Sequence, residues 1–189
     1  MVALVIATIL AVGVEIGSIN ILTTFLVELR GFAETASKIG LIVLLVGVAV
    51  GRLLVGILTH KKRLVVSLLG LLGLSGLFMS GLFFLPLDGW LYPAIFLAGL
   101  ALSAILPLII TLAGLLFPDM AGTALGIIKT AMPIGGILLP FLMSLVAEYG
   151  SFQLSLLLFP LACLLAFAVL FWQIQPHKAT QGTTSWSVD

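Results

Sequence analysis

The stretch FQLSLLLFPLACLLAFAVLFW, Phe152 to Trp172, holds no charged side chain and is apolar almost throughout. About 20 such residues, rising 1.5 Å each, cover the roughly 30 Å hydrocarbon core of a bilayer. The stretch therefore reads as a transmembrane helix. Working back toward the N-terminus, similar runs cover about residues 123–146, 91–117, 64–85, 38–58 and 2–29. Turn-forming clusters such as Pro118-Asp119-Met120-Ala121-Gly122 and Pro86-Leu87-Asp88-Gly89 separate them. Hydrophobic residues make up 62 % of the chain and charged residues 8 %, with a mean hydropathy of +1.37. A water-compatible exterior takes roughly a quarter charged residues, so lipid must be the solvent for most of this surface. The expected fold class is an all-α membrane protein, with six transmembrane helices over residues 1–173 and a flexible polar tail over 174–189.

Several function classes fall away at once. A formal net charge of +1 offers no bulk attraction for nucleic acid. The single cysteine, Cys163, lies in an apolar run and has no cysteine to pair with in the chain. There is no HExxH, no GxSxG, no phosphate loop and no metal-spaced Cys/His set. His60 and His177 stand apart from any nucleophile. No enzyme, cofactor or metal site is expected. The N-terminal run lacks a basic lead and continues past Glu15 to Val27, so it reads as a first span rather than a signal peptide.

The connection after the second span, His60-Lys61-Lys62-Arg63, has basic residues and no acid. The positive-inside rule places it in the cytoplasm, and six spans then put both termini there too. His177 and Lys178 in the tail agree. Trp90, Tyr92 and Tyr149 fall at the expected outer interface and Trp172 near the inner one. Gly47 to Gly51 and Gly122 to Gly126 form GxxxG patterns, and Gly70, Gly73 and Gly76 mark a further small-residue track.

Ionisable groups at membrane depth cost roughly 2.5–3.5 kcal/mol by insertion scales and so point to function. Counting from the inner end of its span, Glu15 lies roughly 18 Å deep and Lys129 roughly 12 Å deep. Opposite charges at similar depth suggest a pair or a shared aqueous cavity, although Lys129 also suits snorkelling to the headgroups. Asn20 suits a polar ligand or a neighbouring helix. Arg52, under two turns from the cytoplasmic end of its span, reads as a snorkelling anchor or a gate. Pro107, Pro133, Pro140 and Pro160 each remove a helix hydrogen bond. Interrupted helices of this kind free carbonyls to line a transport cavity.

The segment from Gly51-Arg52-Leu53-Leu54 through Thr59-His60-Lys61-Lys62-Arg63 resembles the cytoplasmic loop motif between the eighth and ninth helices of the major facilitator superfamily. Gly13-Val14-Glu15 is similar to the seventh helix of the superfamily's fucose–proton symporter group. Gly122-Thr123-Ala124-Leu125-Gly126, Gly135-Gly136, Pro140 and Glu148-Tyr149-Gly150 are similar to that group's eleventh helix and the loop after it. Two features depart from the loop motif: Thr59 takes its acidic position, and the second glycine among the basic residues is missing.

The resemblance covers the second six-helix half of a twelve-helix transporter. It implies a multi-pass protein of the cell membrane that carries a small polar solute, such as a sugar, by alternating access, with H⁺ as the coupled ion. A second six-helix half or a second copy of the chain would complete it. Glu15, Asn20, Lys129 and Thr111 become the substrate or ion pathway, and Arg52, Lys61, Lys62 and Arg63 the cytoplasmic gate or loop motif. Pro107, Pro133 and Pro140 become the helix kinks. In the fucose-type group the principal proton-coupling carboxylates belong to the first half, which makes Glu15 a cavity residue. The alternative is a truncated or assembly-only membrane protein that transports nothing by itself.

Overall fold

A computed structural model of the chain describes residues 1–58 and 64–180. The basic segment Lys61, Lys62 and Arg63 lies outside the described residues, as does the tail from 181 onward. Six spans long and apolar enough to cross a membrane are present. They are built from α1 (Val2–Glu28), α2 (Glu34–Leu58), α3 (Leu64–Phe84), α4 (Leu91–Ser103) with α5 (Ile105–Leu116), α6 (Ala121–Tyr149), and α7 (Phe152–Ser155) with α8 (Leu158–Thr180). The described residues contain no strand. α2 starts at Glu34, one turn before the expected boundary, and α8 runs to Thr180, past the expected end of the domain at residue 173.

Proline chemistry sets two of the boundaries. Pro107 cannot donate to the Ser103 carbonyl, and the fourth span breaks there into α4 and α5. Pro160 likewise cannot donate to the Leu156 carbonyl, and the sixth span breaks between α7 and α8. A buried serine serves each break: Ser103 donates to the Leu100 carbonyl at 3.1 Å and Ser155 to the Phe152 carbonyl at 2.7 Å. In contrast, α6 runs unbroken through both Pro133 and Pro140.

The core gathers around α1, which packs against α2, α6 and α8. Phe25 meets Phe83 edge-on at 4.9 Å between centroids, and Phe83 stacks on Phe159 at 5.3 Å, tying α1 to α3 and α8. Contacts repeat in a swapped pattern. α1 pairs closely with α6 as α2 pairs with α4, while α3 and α8 face each other. The spans of the second triplet run opposite to those they match in the first, which is an inverted repeat.

Glycines allow both close pairings. A Cβ on Gly47 or Gly51 would overlap the α4 backbone at Phe96 and Leu100, and one on Gly99 would overlap Leu44 of α2. On the other side, a Cβ on Gly135 would overlap the Ile9 carbonyl of α1. One on Gly13 would lie 2.8 Å from the Leu139 Cβ. The second GxxxG and much of the span-three track have no such role. Gly122, Gly126, Gly70 and Gly73 meet no atom within 4 Å, and Gly76 makes an ordinary 3.4 Å contact with Cys163.

At the end of the molecule away from the termini, Gly31 turns the chain with φ +68°, a conformation costly for other residues. Beside it Arg30 donates to the Leu82 and Leu85 carbonyls, at 3.1 and 2.5 Å, and lies over the Phe25 ring. The guanidinium thus satisfies carbonyls that α3 leaves open at its C-terminus.

Candidate functional site

Glu15 sits in the middle of α1 and is buried, 8 % exposed. α1 and α2 run antiparallel. Gly40 of α2 faces Leu26 of α1, and counting down both helices from that contact brings Arg52 level with Glu15. Arg52 Nη2 donates to Glu15 Oε1 in a charge-assisted hydrogen bond. The Arg52 side chain remains half exposed on the open face of α2. Of the two readings of Arg52, anchor or gate, the geometry turns its guanidinium inward to a carboxylate rather than outward along the helix.

Lys129 does not partner Glu15. α1 and α6 run parallel, with Gly135 against Ile9 and Gly17 near Met143. That register sets Lys129 level with Ala3, roughly 18 Å along the bundle from Glu15. Depth counted from each helix start misleads here, because α6 starts well before the level of Val2. Lys129 is exposed, and among the described residues the ion pairs are Glu15–Arg52 and Glu34–Lys38. Thr111 is exposed on α5, with its hydroxyl donating to the Pro107 carbonyl at 2.9 Å. Pro107 and Pro133 are exposed as well, and Pro140 is half-buried.

Asn20 lies about 140° around α1 from Glu15 and belongs to a different feature. With Thr24 of α1, Ser144 of α6 and Ser155 of α7, it lines a cavity of about 270 Å³. Pro140, Met143 and Phe152 supply apolar wall. A second cleft of about 320 Å³, between α1 and α2, holds Thr23, Glu28, Glu34 and Lys38 and shares Thr24. Thr24, Ser144 and Ser155 were not singled out in the sequence. The signal available was spacing, since Asn20–Thr24 and Pro140–Ser144 are each one turn apart on facing helices. No group of three or more His, Cys, Asp or Glu is assembled among the described residues.

The sequence model of the Major Facilitator Superfamily matches residues 3–187, nearly the whole chain. No curated protein matches the chain.

Proposed function

The chain belongs to the Major Facilitator Superfamily, a family of membrane transporters, and from that premise we propose that its six helices form one half of a secondary transporter. The transported solute is small and polar, of the sugar class, and moves by alternating access coupled to H⁺. The protein resides in the cell membrane with both described ends on the cytoplasmic side.

The observation that carries this reading is the Glu15–Arg52 pair. Arg52 has five N–H donors; Glu15 engages one edge, and half of the side chain is open. A charged group facing lipid at this depth is costly, so the open face calls for a water-filled cavity or a polar partner. A second six-helix half supplies that cover, whether another copy, a separate chain or further sequence. A solute acceptor on this face would compete with Glu15 for Arg52. Protonating Glu15 would remove the competing charge, which links solute binding to a proton. Lys129 and Thr111 are exposed as well and lie nearer the termini than the pair.

The test is uptake of labelled monosaccharides into proteoliposomes under an imposed pH gradient. Glu15→Gln should lose gradient-driven accumulation while retaining exchange down a concentration gradient. Unchanged accumulation in that variant would remove Glu15 from coupling. Native mass spectrometry of the protein in nanodiscs should show a dimer or a complex with a second six-helix chain, and a strict monomer that transports would sink the two-half reading.

A further inference from the structure

We propose that the groove between α3 and α4 holds a phospholipid of the surrounding bilayer, with one acyl chain in the groove and the phosphate at Arg30. The site shares no residue with the Glu15–Arg52 pair. It does not depend on the transport reading.

Three observations carry it. The first is a hollow that small residues leave in an apolar face. The groove measures about 680 Å³. Leu77, Phe78 and Leu85 wall it on the α3 side and Leu97 on the α4 side, while Gly81 and Ala94 leave the space between. Ser80 has the one hydroxyl among the lining residues and donates it to the Gly76 carbonyl at 2.8 Å, and no ionisable side chain lines the groove. A polar guest would find no partner here. Lipid tails are as apolar as these walls, so what the groove offers an acyl chain is closer atomic contact than fluid lipid gives.

The second is placement along the bilayer normal. Leu77 and Leu97 mark the deep end of the groove, Leu85 and Trp90 its rim. From Leu77 to Leu85 the wall rises roughly 12 Å. One leaflet contributes roughly 15 Å of hydrocarbon core, so the groove follows most of one acyl chain. Trp90 is 75 % exposed at the rim, where indole rings settle at a membrane interface. The groove therefore opens within one leaflet and ends at the level of its headgroups.

The third is a held cation at the head of the groove. Arg30 Nη2 donates to the carbonyls of Leu82 and Leu85, two residues that line it. These bonds and the Phe25 ring fix the guanidinium in place. Nη1 and Nε keep three N–H donors, and among the described residues no side chain accepts from them. A phosphate takes guanidinium donors in pairs. An apolar groove below a fixed guanidinium matches both ends of a phospholipid, whereas a second copy of the chain or another apolar helix would match the groove alone.

The experiment is native mass spectrometry of the full chain in mild detergent. Dioleoylphosphatidylglycerol is the probe, and dioleoylglycerol, with the same chains and no phosphate, is its control. The lipid is varied rather than Arg30, because Arg30 also closes α3. Phosphatidylglycerol should bind saturably as a single copy, and dioleoylglycerol about tenfold more weakly, as expected for a lost charge-assisted hydrogen bond. Gly81→Phe should fill the groove and weaken phosphatidylglycerol by about tenfold or more, since the chain loses its contacts. A Cβ at Gly81 meets Leu85 Cδ1 alone, at an ordinary 3.8 Å, so α3 keeps its packing, and size-exclusion elution checks the fold. The comparison of the two lipids uses the unaltered chain and stands whatever the variant does. The proposal is overturned if no phospholipid binds saturably, if dioleoylglycerol binds equally well, or if folded Gly81→Phe binds phosphatidylglycerol unchanged. A dimer that Gly81→Phe abolishes would make the groove an interface between copies and overturn it too.

Discussion

The two close helix pairs, α2 with α4 and α1 with α6, solve one geometric problem with different residues. Each is anchored by a glycine against a carbonyl, Gly47 at Phe96 and Gly135 at Ile9. One turn on, the first pair sets Gly51 against Leu100, while the second sets Leu139 against Gly13. The small residue has changed helix and the narrow gap has survived. Counting from these anchors, Arg52 corresponds to Pro140 and Glu15 to Leu102. The charge pair therefore belongs to one repeat, and its counterpart positions hold a proline and a buried leucine. The scaffold obeys the repeat; the chemistry breaks it. That asymmetry separates a charged feature at mid-depth from an uncharged cavity beside Pro140.

The equivalence of the two pairs is most sharply tested by Gly47→Ala and Gly135→Ala. Each should cost about 3 kcal/mol, the upper part of the usual overpacking range, because the new Cβ meets backbone that cannot turn aside. Unfolding in mixed micelles measures both, and a tolerant site would show that its pair is not held by close approach. Next comes the asymmetry itself. A double-mutant cycle of Glu15→Gln with Arg52→Gln should give a coupling of about 1–2 kcal/mol, within the range for contacting residues. The cycle of Glu15→Gln with Lys129→Gln should be additive within about 0.5 kcal/mol. A sizeable coupling there would contradict the parallel register of α1 and α6. The smallest effects belong to Gly70→Ala and Gly126→Ala, which have open space around them. They should be neutral or stabilise by about 0.5–1 kcal/mol, since alanine favours helix interiors.

How much of this was legible beforehand follows from which interactions are local. Six spans were plain because span length and apolarity are properties of one segment at a time. The break before Pro107 was signalled by the residue itself, since a missing N–H acts within one turn. Arg52 as the partner of Glu15 was not legible. It depends on how far α2 and α6 slide along α1, and that is fixed by Gly40, Gly135 and Gly13 meeting backbone or side chains elsewhere. The same reason hid Ser144 and Ser155, which acquire meaning only when α6 and α7 are laid beside Asn20. GxxxG patterns were informative at Gly47–Gly51 and empty at Gly122–Gly126, because the pattern specifies a flat surface and not a neighbour to fill it.

Arg30 bears on the electrostatic field that the molecule shows an approaching solute. Its guanidinium is committed to the α3 carbonyls and the Phe25 ring, partners that carry no net charge and so leave its positive charge in place. Lys38 is paired with Glu34. At that end of the bundle Arg30 and Lys38 stand against Glu28, Glu34 and Glu148, a sum of −1 for these five side chains. Beyond a Debye length of about 8–10 Å the field of so small a sum is screened, and within it anions are only weakly disfavoured. An arginine that closes one helix thus also limits how acidic that end of the molecule becomes.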